Sequence, residues 1–310
     1  MQRATITTFI IFMLTLWPPH AGSTAGKYIA VIMSSDQPRY HDAHQAFIRS
    51  LTRRGYPSTS TEIMLQPPNP DQTSWSGTIR KFNARRPDLI VAYGATAALL
   101  AMNESNGIPV VSADIYTSEQ PVKGMCGVSS RVPMLTLLKT LKSIRPFRTI
   151  GILYTAREAG SQRQRDDIRK LAQQLGVTVA EVNAATVAAL GTGLTTLIER
   201  SDVIIATESS IVCRNFDRII TRTKEYNIPV VATMPESAEK GALISLEISP
   251  QEQGHLAAEI AVRVLEGANP EHLSMLKPQR VDLIVNMRTA REMDLHMPFL
   301  VLSNATRVLK

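Results

Sequence analysis

Aromatic residues are scarce: two Trp, seven Tyr and seven Phe make up 5% of the 310 residues. So thin a supply argues against single-stranded nucleic acid as a partner, because such recognition stacks bases on aromatic rings. Only two cysteines are present, Cys126 and Cys213, far apart in sequence. That is too few for a disulfide-stapled scaffold or a cysteine metal centre; we read both as buried or idle thiols, with a bond between them in an exported protein as the alternative. No Ser-His-Asp or Cys-His arrangement is indicated. Gly191-Thr192-Gly193 sits inside a helical pattern and lacks the Lys and spacing of a phosphate loop. His41-Asp42-Ala43-His44 puts two imidazoles on one helix face without an evident third ligand, and reads as a solvated helix end rather than a metal site. No metal, no cofactor and no enzymatic activity are expected.

Positive charge is in excess, with 34 Lys and Arg against 27 Asp and Glu, a formal +7. The basic residues are scattered among acids, so they describe a solvated surface and not a nucleic-acid face. Hydrophobic residues at 44% are ample for a full core. Their only long run is at the start: Arg3, then Phe9 to Trp17, then Pro18-Pro19 and small residues. That order is a secretory signal, too short to span a bilayer. Cleavage is expected near Ala21 or Ala25, and no Cys stands there to carry a lipid anchor. The mature chain should be exported and periplasmic.

From Lys27 onward apolar strand patterns alternate with amphipathic helical ones, which predicts an α/β architecture. Helices are expected over about 40–54, 74–84, 95–107, 135–144, 162–175, 187–199, 216–226 and 251–265, with strands between. Two segments echo each other. Pro87-Asp88-Leu89-Ile90-Val91-Ala92 matches Ser201-Asp202-Val203-Ile204-Ile205-Ala206, and Asn106-Gly107-Ile108-Pro109-Val110-Val111 matches Tyr226-Asn227-Ile228-Pro229-Val230-Val231. Two similar doubly wound parallel-sheet lobes follow, with a cleft where a small molecule can sit. The sharpest local signal is Leu89 to Ala101: a strand, Gly94, then a helix start whose unpaired N–H groups favour an anion, with Thr96 adding a hydroxyl.

This order resembles the substrate-binding family of ABC transporters, a type I periplasmic binding protein fold whose members include aromatic amino-acid binders. Pro87 to Ala98, Ile108 to Val111, Ile150 to Tyr154, Gly241-Ala242-Leu243, Gln253-Gly254 with Ala257-Ala258, and Ile284-Val285-Asn286 with Ala290 carry the resemblance across nearly the whole mature chain. It implies a signal peptide at 1–25, a first lobe of 26–125 with 248–278, and a second of 126–247 with 279–310, joined by hinge crossovers. It also implies a ligand between the lobes and an ABC permease as the membrane partner; a ligand sensor signalling to a membrane receptor is the alternative. The strand-end residues expected at the ligand are Ser34, Ser35, Gly94, Ala95, Thr96, Ser112 and Asp114 in the first lobe. Those in the second are Tyr154, Glu208, Ser209, Ser210 and Thr233, while Arg157 and Glu247 read as solvated surface. A carboxylate at Gly94–Thr96, an ammonium near Asp114 or Glu208, and a side chain against Tyr154 would form an amino-acid site.

Overall fold

The computed structural model describes residues 26–69, 73–117 and 124–310. The expected signal segment lies outside them. The chain begins β1 (Lys27–Met33), α1 (Pro38–Arg53), β2 (Thr61–Leu65), α2 (Thr73–Arg85), β3 (Leu89–Tyr93), α3 (Ala95–Glu104), β4 (Val110–Ile115) and β5 (Cys126–Ser129). It continues with α4 (Met134–Ile144), β6 (Thr149–Tyr154), α5 (Ala159–Gln174), β7 (Thr178–Asn183), α6 (Val187–Arg200), β8 (Val203–Ala206), α7 (Ser210–Arg214), α8 (Phe216–Lys224), β9 (Val230–Ala232) and β10 (Ile244–Glu247). Last come α9 (Pro250–Leu265), β11 (Met275–Leu276), β12 (Asp282–Asn286), α10 (Met287–Glu292), α11 (Phe299–Asn304) and β13 (Arg307–Leu309).

The strands form two sheets, ordered β2-β1-β3-β4-β5-β11 and β7-β6-β8-β9-β10-β12-β13. Their first five members have the same topology, so the two lobes are variations on one doubly wound plan. The internal echo falls on equivalent strands, β3 with β4 and β8 with β9. It also has a physical reading. Asp88 accepts a bond from the Tyr28 N–H at 2.9 Å, and Asp202 accepts from the N–H groups of Arg148 at 2.7 Å and Thr149 at 2.9 Å. Each aspartate thus ties the start of its strand to the strand beside it.

Alternation along β1 sends Ile29, Val31 and Met33 to the face under α1 and α9, and Ala30 and Ile32 to the face under α2 and α3. In the second lobe α4 and α5 cover one face and α6 to α8 the other. The closest helix pair is α1 with α9. A Cβ on Gly254 would come within 2.8 Å of the Phe47 nitrogen, so glycine there lets the two backbones touch.

The chain passes between the sheets at 130–133, 248–249 and 277–281. β5, which the sequence reading left without a strand and placed beyond residue 125, pairs with β4 in the first sheet. Its four residues include Gly127 and are too few for a periodic signal. The second sheet is parallel, as expected, except at β12, which runs antiparallel to β10, Glu247 facing Asp282. The cause is the crossing: the chain leaves the end of β10 for α9 and returns at the same end, so β12 can only run back. Among the described residues no helix is long and apolar enough to cross a membrane.

Candidate functional site

In both sheets the parallel strands end at the seam between the lobes, where a doubly wound fold places its ligands. Gly94 follows β3 with φ +83°, and a Cβ on it would lie 2.5 Å from the Tyr40 hydroxyl and 2.6 Å from Ser34 Oγ. The close approach expected at this glycine is therefore made by the chain's own Ser34 and Tyr40. The Ala97 N–H in the first turn of α3 donates to Ser34 Oγ at 3.0 Å. Thr96 Oγ1 accepts from the Ala159 N–H of the second lobe at 3.1 Å, and Ala95 packs in the apolar cluster under α2 and α3.

At the centre stands a residue the sequence reading did not select. Arg39, in the first turn of α1, is 6% exposed and reaches both lobes. Its Nη1 donates to Glu208 Oε2 of the second lobe at 3.2 Å, and its Nη2 to the Tyr40 hydroxyl at 2.8 Å. Its Nε is 3.5 Å from Asp114 Oδ2 of the first lobe, without a hydrogen bond. Burial alone would favour the neutral form of Arg39, but Asp114, Tyr40 and Glu208 outweigh it and hold the guanidinium charged. Burial pushes the Asp114 carboxyl up, with Arg39 opposing. Burial likewise pushes Glu208 up to about 7, with Arg39 opposing and Asp114 adding to the rise.

Glutamines position the two acids. Asp114 has left-handed backbone, φ +52°. Its N–H donates to Gln253 Oε1 of α9 at 3.0 Å, and Gln253 Nε2 donates to the Ser129 carbonyl at 2.9 Å. The Glu208 N–H donates to Gln164 Oε1 of α5 at 2.8 Å. Gln164 Nε2 donates in turn to Thr233 Oγ1 at 3.0 Å and to Glu208 Oε2 at 3.3 Å. Ser210 donates from both N and Oγ to Glu158 at 3.0 Å, which adds a half-buried carboxylate beside the pair. A cavity of about 10 Å³, one water's worth, remains beside Arg39, Asp114, Glu208, Thr233 and Gln253.

Of the residues selected from sequence, Asp114, Glu208 and Thr233 meet here. Ser35 accepts from Gln37 Nε2 at 2.9 Å, and Ser209 caps α7 through the Val212 N–H at 3.2 Å. Ser112 turns away: its Oγ donates to the Cys126 carbonyl at 2.7 Å and fastens β4 to β5. Tyr154 shares a face with Ile150 and Ile152 and lies under the Arg165 guanidinium at 4.7 Å, apart from the ion cluster. Two surface readings are corrected. Glu247 is buried, where it accepts from Ser245 Oγ at 2.6 Å and from the Glu236 N–H at 3.0 Å. His44 is buried too, its ring edge-on to Tyr93 at 5.6 Å, because it falls on the core stripe of α1. Among the described residues no group of three His, Cys, Asp or Glu side chains could hold a metal.

This chain is similar to a tyrosine-binding protein of Clostridioides difficile, with 24% identity over 280 residues, 87% of this chain and 81% of that one. Its fold matches a Streptococcus pneumoniae ABC domain solved with L-Trp: TM-score 0.85, 21% identity, 92% of this chain and all of the other. It also matches the ligand-free, open structure of a Clostridium difficile substrate-binding protein with adhesive properties: TM-score 0.68, 24% identity, 92% of this chain and 99% of the other. The model of the ABC transporter substrate binding protein family matches residues 28–309, so nearly the whole described chain belongs to that family, which binds solutes and is not enzymatic.

Proposed function

We propose that this chain is the exported solute-binding component of an ABC importer, and that it closes two lobes over an α-amino acid and presents the closed form to a permease. The lobes are 26–129 with 248–278 and 130–247 with 279–310, the first boundary moved past 125 so that β5 stays with its sheet, once a signal segment is removed near Ala21 or Ala25 and the protein is released into the periplasm. The observation that carries the ligand class is the buried Arg39, Asp114 and Glu208 cluster spanning the seam. A desolvated guanidinium beside carboxylates suits a zwitterion better than a neutral sugar, which has no charge to exchange with them. A tyrosine-binding relative and an L-Trp-bound structural neighbour make those two amino acids the first to try. Ser34, Ser35, Gly94, Ala95, Thr96, Asp114, Glu208, Ser209, Ser210 and Thr233 then line or buttress the site. Binding selects the closed state through contacts available only when both lobes meet.

The test is a thermal-melting screen of the mature protein against the twenty amino acids and a sugar panel, followed by calorimetry on any hit. A shift with an amino acid is expected. A screen blank for amino acids, or answered by sugars alone, rejects the reading.

A further inference from the structure

Arg39 is poorly matched by the residues around it. A guanidinium offers five N–H donors in a rigid fork, yet the side-chain bonds shown are two, to Tyr40 at 2.8 Å and to Glu208 at the long end of the ordinary range. The contact with Glu208 is 3.2 Å, and the Nε faces Asp114 at 3.5 Å unbonded and buried. A buried donor left unsatisfied is costly. Glu208 is served no better, since its other side-chain donor, Gln164 Nε2, is 3.3 Å from the same oxygen. Both halves of this ion pair would gain from a guest that offers a carboxylate to one and an ammonium to the other.

Among the described residues, other cationic and anion-favouring groups near the seam are engaged elsewhere. The first turn of α3 is bonded to Ser34, and Thr96 to the opposite lobe. Arg131 pairs with Asp167 at 2.9 Å and donates to the Thr117 carbonyl at 3.0 Å, and Arg163 donates to the Tyr116 carbonyl at 3.3 Å.

Resting on the amino-acid reading above, we infer that Arg39 is the specificity-determining receptor for the ligand's carboxylate. The amino acid enters between Arg39 and Glu208 as the lobes part. Its carboxylate takes the guanidinium edge that now faces Asp114 and Glu208, and its ammonium takes those two acids. One loose internal ion pair becomes two intermolecular ones with no change in net charge. An amine without a carboxylate leaves the guanidinium unmatched, and a carboxylate without an ammonium adds negative charge beside Asp114, Glu208 and Glu158.

The experiment compares L-tryptophan with tryptamine and L-tyrosine with tyramine by calorimetry, on mature wild type, Arg39→Gln and Arg39→Lys. Wild type should prefer each amino acid over its amine by at least about tenfold, the worth of a charge-assisted bond. In R39Q the amino acid should weaken by about that factor while the amine holds, so the ratio collapses. R39K keeps the charge but loses the fork, and should fall between. Lost packing alone would weaken both members of a pair and leave the ratio unchanged. If R39Q does not fold by thermal melting, R39K decides. A wild-type ratio retained in the folded variants overturns the role of Arg39 and leaves the amino-acid reading standing. Binding of neither amino acid by wild type overturns this inference, and a blank twenty-amino-acid screen removes the reading beneath it as well.

Discussion

The Ala159 N–H at the start of α5 donates to Thr96 Oγ1 at the start of α3, 3.1 Å away, so one lobe is bonded to the other at the rim of the seam. Thr96→Val keeps the shape and removes the acceptor. The closed form should lose about 1 kcal/mol, which weakens ligand binding roughly fivefold. Calorimetry reads the affinity, and small-angle scattering should show a larger radius of gyration for the unliganded variant.

Gly94→Ala meets two obstacles. The backbone is left-handed at φ +83°, and the new methyl would press on Tyr40 and Ser34. A loss of about 2 to 4 kcal/mol is expected from strain and overpacking together. Urea unfolding checks it; a change below about 0.5 kcal/mol would mean that Ser34 and Tyr40 yield easily.

Gly254→Ala should also destabilise, by about 1 to 3 kcal/mol. Here the methyl meets the backbone of α1, near the Phe47 nitrogen, which cannot rotate away as a side chain can. Thermal unfolding of the variant is the measurement.

Glu208 sets a pH slope. Its carboxyl titrates at about 7 when folded, against an ordinary value of 4.5. Between those values the folded chain holds a proton that the unfolded chain has released, so this group's contribution is full below about 4.5 and falls as pH rises to about 7. His44 acts in the opposite sense. Burial, with nearby His41 adding to it, lowers its pKa from 6.5 to about 4, so its contribution is lost as pH falls through that window. The clean observable is a difference: Glu208→Gln relative to wild type should gain stability as pH rises from about 5 to 7, measured by melting across that range. A pH-independent difference contradicts the assignment.

Cys126 and Cys213 are both free. Cys126 is buried and donates to the Val110 carbonyl at 3.3 Å, while Cys213 is half-buried on α7. Alkylation followed by mass spectrometry should modify Cys213 first in the native protein and Cys126 only on unfolding. A disulfide in the purified protein would contradict both.

Much of the architecture could be read from the chain because its strands are short apolar runs and its helices carry one apolar stripe. The elements that escaped are short ones without a period: β5 with its glycine, the two-residue β11, the single turn and a half of α7, and the closing α11 and β13. The centre of the seam escaped for a different reason. Arg39 opens a series at four-residue spacing that continues through Ala43, Phe47 and Leu51, Gln164 one through Ile168 and Ala172, and Gln253 one through Ala257 and Ala261. Each is a polar residue opening a buried stripe, and each of the stripes that follow was legible. Extending those stripes one turn toward the helix start would have found all three. Selecting by strand end instead found the acids they hold, Asp114 and Glu208, but also collected Ser112 and Tyr154, whose side chains turn to other partners.

The place of α9 has a bearing on how the protein comes to be made. The helix that shields Phe47 and Leu51 is translated only after β6 to β10, five of the seven strands of the opposite sheet, have been made. A nascent chain halted before Pro250 has β1 to β5 of its first sheet but lacks β11 and α9, and leaves an oily surface on α1 without its neighbour. Maturation of the earliest-synthesised half must therefore wait until well over four-fifths of the polypeptide has been made, through Leu265 of 310 residues.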